Sequence, residues 1–144
     1  MATSCELCDG DGGHVVWRDA HWRVVRVADE DFPAFYRVIC NAHTAEFSDL
    51  SGTQRAACMQ RVAQVERVLR ERLNPAKINL ASLGNMVPHL HWHVIARFAW
   101  DSRFPQPIWA PALRVSEPAA QQRLPVALDT LDEAVARALS APAE

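Results

Sequence analysis

The chain has 144 residues, close to the roughly 150 of one domain and enough to bury about 70% of its unfolded surface. At 49% hydrophobic and 22% charged it is an ordinary globular composition, which excludes wholesale disorder. Fifteen Lys+Arg against 17 Asp+Glu leave a net charge of −2, so long DNA or RNA is not expected as a main ligand.

The first residues carry Cys5, Glu6, Cys8, Asp9 and Asp11 where an export signal would need an apolar segment, so a cytoplasmic location is expected. Thiols there stay reduced. Cys5-Glu6-Leu7-Cys8 is a C-x-x-C, which in such a chain means metal, redox chemistry or coincidence. Cys40 and Cys58 read as core residues.

Val15-Val16-Trp17 and Trp22 to Val27 are rich in β-branched and aromatic residues and flank a polar turn, which predicts a hairpin. Asp29 to Pro33 is a loop, and Phe35 to Cys40 a third strand. Thr53 to Leu73 is the clearest helix, since Cys58, Val62, Val65, Leu69 and Leu73 form one apolar stripe. Ser51 and Gln54 have capping-box spacing, and Asn74-Pro75 ends the helix. Ile78 to Leu83 and His89 to Phe98 read as strands around Gly84-Asn85. The uncharged run Ile78 to Ala96 holds three His, two Asn, a Gly and a Pro, too polar for a membrane span.

Five prolines fall between Asp101 and Pro125, which predicts an irregular arm on the surface. Leu124, Leu128, Leu131, Val135 and Leu139 follow helical steps and predict a short closing helix. Without regular βαβ alternation, the fold class expected is α+β: an antiparallel sheet with one long helix and a short C-terminal helix. The chain is read as a single domain over residues 1–144, with a core at about 5–111 and a C-terminal extension at 112–144.

His89-Leu90-His91-Trp92-His93 is the informative segment. Alternation on a strand sends three imidazoles to one face and Leu90, Trp92 and Val94 into the core. Imidazoles near neutrality can divide the work of nucleophile, acid and metal ligand. A flavin or nicotinamide site is not expected, because G-x-G-x-x-G is absent, as is any Walker loop. Arg97 falls on the same face by alternation, where it meets a phosphate or ends the strand in solvent.

His-x-His-x-His with apolar residues between resembles the signature of the histidine triad superfamily of nucleotide hydrolases and transferases. The resemblance extends to Asn79 ten residues earlier, to His43 before an acidic-apolar helix entry, and to the long helix between them. Phe104-Pro105-x-Pro107-Ile108-Trp109 resembles the tail of a bacterial subgroup described as dinucleoside tetraphosphate hydrolase-like. It covers roughly residues 5 to 111.

The resemblance implies a nucleotide hydrolase that cleaves a nucleoside phosphate anhydride, ester or phosphoramidate at the α-phosphate. His91 would be the nucleophile, passing through a covalent nucleotidyl-histidine. His93 would stabilise the phosphate or leaving group, Asn79 would donate to the phosphate, and Asn85 would stand where the family often has Gln. Phe32, with Phe35 and Tyr36 nearby, would lie at the base pocket. Met86 departs from the pattern, since a thioether cannot replace the usual hydroxyl as a donor. The alternatives are a nucleotidyl transferase or phosphorylase, and a zinc-stabilised nucleotide-binding protein with little activity.

Related uridylyltransferases hold zinc with an N-terminal C-x-x-C, the upstream His and the first triad His. The resemblance therefore implies a structural zinc on Cys5, Cys8, His43 and His89. It also implies a substrate such as a dinucleoside polyphosphate or adenosine phosphoramidate, and a homodimer paired through the long helix and a strand edge. Ala57 and Val68, beside the main stripe, add apolar surface in support of that pairing.

Overall fold

The computed structural model describes residues 4–142. After a short helix α1 (Glu6–Asp9), strands β1 (His14–Arg18), β2 (Trp22–Arg26) and β3 (Phe35–Cys40) form a meander. Helix α2 (Gly52–Leu73), strand β4 (Lys77–Ala81), strand β5 (His91–Arg97) and helix α3 (Leu128–Ser140) follow. All five strands pair antiparallel in one sheet of order β1-β2-β3-β5-β4. The α+β class and the antiparallel sheet are as expected.

Local chemistry accounts for the elements. The β1–β2 turn is fixed by Asp19, whose carboxylate accepts from the backbone N–H groups of His21 and Trp22. Helix α2 begins at a reciprocal capping box between Ser51 and Gln54, which satisfies two otherwise orphaned donors. It ends at Asn74, in the left-handed conformation with φ 46°, which Asn tolerates better than most residues. Each apolar side chain fully buried along α2 stabilises the fold by about 1.5–3 kcal/mol.

The sheet has two different faces. On one, Trp22, Val24, Tyr36, Val38, Val94 and Ala96 join Cys58, Val62, Val65 and Leu69 of α2 and Leu131, Val135 and Leu139 of α3 in a single core. The C-terminal residues thus share the main core. Tyr36 Oη donates to Asp132 at 2.6 Å, and Arg26 Nε reaches the same carboxylate at 3.0 Å, so α3 is also held by polar contacts. The other face carries Phe35, Arg37 and Ile39 of β3 beside Ile95, His93 and His91 of β5.

Two covers lie on that second face. The N-terminal segment packs Leu7 on Val25 and Ile39, and Arg23 clamps it by donating to the carbonyls of Leu7, Gly10 and Asp11. The proline-rich arm packs Ile108 against the cluster of Phe32, Phe35 and Ile95. The arm is irregular, as expected, yet it is not merely superficial: Asp101 and Ser102 are buried. Burial opposes the charge of Asp101. Hydrogen bonds from Arg97 and from the backbone of Phe98 and Arg103 outweigh that and hold its carboxyl below the usual range.

Three boundaries differ from the sequence reading by more than one residue. Strand β5 starts at His91, not His89, because the ladder stops at the Ile39–His91 pair and the His89 N–H turns to the Val87 carbonyl. Strand β4 ends at Ala81, after which Ser82 donates to the His91 carbonyl. Helix α3 starts at Leu128, and Leu124 is buried just ahead of it after a short 3₁₀ turn. Val68 is buried in the chain's own core, so it is not surplus surface for a partner.

Candidate functional site

At one end of the covered face, four side chains from three places converge. Cys5 and Cys8 come from the N-terminal turn, His43 from the loop after β3, and His89 from the approach to β5. Their ligand atoms all lie within 4.8 Å of one another. Cys5 Sγ is 3.3 Å and Cys8 Sγ 3.5 Å from His89 Nδ1, and Cys8 Sγ is 3.4 Å from His43 Nδ1. Tetrahedral zinc with its usual Zn–S and Zn–N lengths needs S···N edges of about 3.5 Å.

The tautomer of His89 fits as well. Its Nε2 lies 2.6 Å from the Cys40 carbonyl, which only accepts, so Nε2 carries the proton and Nδ1 presents its lone pair to the sulfurs. Burial, then the hydrogen bond and charge of Cys5, push the Cys8 thiol up. A bound cation would favour loss of that proton. The distances and the His89 tautomer therefore fit the metal that the resemblance implies.

Two residues on, the main chain of His89 serves the next histidine. His91 Nδ1 donates to the His89 carbonyl at 2.6 Å, which leaves Nε2 as the free lone pair. Burial, and then the nearby charge of Arg37, hold His91 below the ordinary histidine range despite that hydrogen bond, so it is neutral near pH 7. His91 and His93 face away from the main core, yet they are only 8% and 6% exposed because the two covers flank them. Their rings stand edge to face, 5.0 Å apart. Together with Arg37, Asn85, Met86 and Trp109 they line a cavity of about 380 Å³.

His93 has no hydrogen-bond partner at its buried Nδ1. Burial, and then the charges of His91 and Arg37, push it down to about 4. Its unfolded counterpart takes up a proton nearer 6.5, so the unfolded chain binds more protons between those values and stability falls as pH falls through them. The shift corresponds to roughly 3 kcal/mol at 1.36 kcal/mol per pH unit. Thermal unfolding from pH 7 to pH 4 is expected to show a clearly smaller drop for His93→Gln than for the wild type. An equal drop in the two proteins refutes the assignment.

Asn79 lies on β4, the neighbour of β5 on the other side. Arg97 Nη1 donates to its Oδ1 at 2.8 Å. A guanidinium can only donate, so the Asn79 amide is oriented with its NH₂ group free. Asn79 lines an adjoining cavity that shares Trp109 with the first. Arg97 itself is buried, not in solvent. It is bound by Asp101 through Nε and Nη2 and by the Gln106 carbonyl, and it reaches the site through Asn79. Phe32 is buried in the cluster with Phe35, beneath the guanidinium groups of Arg97 and Arg103, and Tyr36 faces the main core. Met86 is 93% exposed.

Arg37 is the site residue that sequence reasoning missed. Its signal was the alternation Phe35-Arg37-Ile39, which puts it on the histidine face once the β3–β5 register pairs it with His93. Trp109, whose ring lies 5.8 Å from His93, comes to the site from the proline-rich arm.

Comparison with known proteins agrees with this geometry. The HIT domain family model matches residues 12–100. Among solved structures, a histidine triad protein of Bradyrhizobium japonicum is 26% identical, with 90% of this chain and 92% of that one covered and a TM-score of 0.71. One from Sinorhizobium meliloti is 24% identical, covering 92% and 93%, with a TM-score of 0.69. A Zn-bound histidine triad family protein of Mycobacterium smegmatis has 18% identity, coverage of 94% and 93%, and a TM-score of 0.60. No curated protein matches the chain.

Proposed function

The chain belongs to the HIT domain family, and from that membership we propose that it is a nucleotide hydrolase working at the α-phosphate through His91. The observation that carries this reading is the state of His91: neutral, fixed through Nδ1 on the His89 carbonyl, with Nε2 free beside His93. In the first step Nε2 forms a bond to the α-phosphorus as the leaving group departs. In the second, water attacks the same phosphorus and the N–P bond breaks, releasing a nucleoside monophosphate. Two displacements replace one difficult step.

His93 and the free NH₂ of Asn79 supply contacts to phosphate oxygens where negative charge develops. Asn85 adds an exposed amide at the cavity rim. The pattern's hydroxyl is missing at Met86, Ser82 is bonded to the His91 carbonyl, and His93, held at about 4, is neutral, so the leaving group takes its proton from water. Phe32 contributes behind the site, through the apolar cluster on which Arg97 is stacked.

Zinc on Cys5, Cys8, His43 and His89 would be structural: four protein ligands leave no open position. The Zn-bound protein of the same fold from Mycobacterium smegmatis supports it. Reduced thiols suit the cytoplasm, and no helix among the described residues is long and apolar enough to cross a membrane. A homodimer would use the free edge of β4, where Leu80 and Leu83 are exposed.

The test is turnover of a fluorogenic adenosine phosphoramidate and of diadenosine tetraphosphate, each with and without inorganic phosphate. Release of AMP from at least one substrate without phosphate is expected. Turnover that requires phosphate makes the protein a phosphorylase. No turnover of either substrate contradicts the proposal.

A further inference from the structure

Most arginines near the sheet are matched by an acid. Arg26 meets Asp132, Arg61 meets Asp19, Arg97 meets Asp101 and Arg103 meets Asp31. Arg37 differs. It is half-buried, and among the described residues no carboxylate contacts it. Nη1 donates to the Gly12 carbonyl at 3.2 Å, and the guanidinium lies 5.7 Å from the Phe35 ring centre. Its Nε is buried with no acceptor. The charge of Glu6 acts on it only across space.

Such a cation is costly unless an anion joins it. It lines the same cavity as His91 and His93. The strand register places Arg37 directly across from His93 on one side. On the other side β4 carries Asn79, two residues from Ala81, the other neighbour of His93. Donors from the two flanking strands thus straddle the histidine strand. Nothing in the family pattern pointed to a cation at this position.

We infer that Arg37 is the principal anion-binding residue of this site, taking the phosphate group that lies over His91 and His93. A guanidinium fork suits two phosphate oxygens at once, where a lysine offers a point charge. The ligand class follows: phosphates and pyrophosphates gain affinity from Arg37, and the uncharged nucleoside gains none. This rests on the nucleotide reading for the identity of the ligand, but the anion contact itself does not depend on it.

The experiment is calorimetric titration of the wild type, Arg37→Leu and Arg37→Lys with AMP, pyrophosphate and adenosine, at fixed salt. Removing the charge is expected to weaken AMP and pyrophosphate by about tenfold to a hundredfold, leave adenosine unchanged, and be partly rescued by lysine. Should Arg37→Leu not fold, Arg37→Gln makes the same comparison. Equal binding of AMP and pyrophosphate by wild type and the uncharged variant overturns the inference, as does a wild type that binds neither. Pyrophosphate bound through Arg37 while AMP is refused would keep the inference and remove the nucleotide reading.

Discussion

His91→Asn is expected to lower turnover by at least about a thousandfold while the protein unfolds near the wild-type temperature. The expected loss is large because the nucleophile itself is removed: a thousandfold is about 4 kcal/mol at 1.36 kcal/mol per decade, and covalent catalysis offers no second group at that position. The fold should survive because the ring faces the cavity, and because the Asn amide can still donate toward the His89 carbonyl that Nδ1 now meets. Rates on the two adenosine substrates, with thermal unfolding alongside, check both halves. A variant that hydrolyses both substrates at wild-type rate removes His91 from its role.

The second large effect concerns the Cys–His cluster. Protein purified without chelators or a histidine tag is expected to carry about one zinc per chain by elemental analysis. Cys5→Ser/Cys8→Ser should empty the site and lower the unfolding temperature by on the order of 5–10 °C, the scale of a few kcal/mol in a chain this long. The reason is positional: Cys5 and Cys8 tie the N-terminal turn to His43 and His89, and Leu7 between them plugs the Val25–Ile39 cluster. Activity should fall less than tenfold, a smaller effect because the metal touches His91 only through the backbone of His89. Because the ligands must be deprotonated, the zinc should leave as the pH is lowered. A zinc content near zero, or a double variant as stable as the wild type, would show that the cluster is held by thiol–imidazole hydrogen bonds alone.

Much of this was legible in the sequence where a local pattern carries its own physics. Phe35 to Cys40 is a strand with the expected bounds, and the Ser51–Gln54 spacing became a capping box. The four candidate ligands Cys5, Cys8, His43 and His89 came together although the first and last lie 84 positions apart. What stayed hidden depended on register and on tertiary cover. Arg37 is one charged residue in an apolar strand until β3 is laid against β5. Arg97 reads as meeting a phosphate or ending the strand in solvent until the proline-rich arm brings Asp101 and Gln106 to it. The separate task of His89 is implied by the resemblance, but its place outside the ladder and its hydrogen bond to the Cys40 carbonyl depend on tertiary contacts.

In the proposed reaction the nucleotidyl group is transferred to His91 before water takes it. The most direct measurement is mass spectrometry of the protein quenched in alkali during turnover of an adenosine phosphoramidate, conditions in which a phosphorus–imidazole bond survives. An adenylyl adduct on the peptide carrying His91, absent from His91→Asn, is the predicted result. Turnover with no adduct on any histidine, or with the adduct on His93, would contradict it.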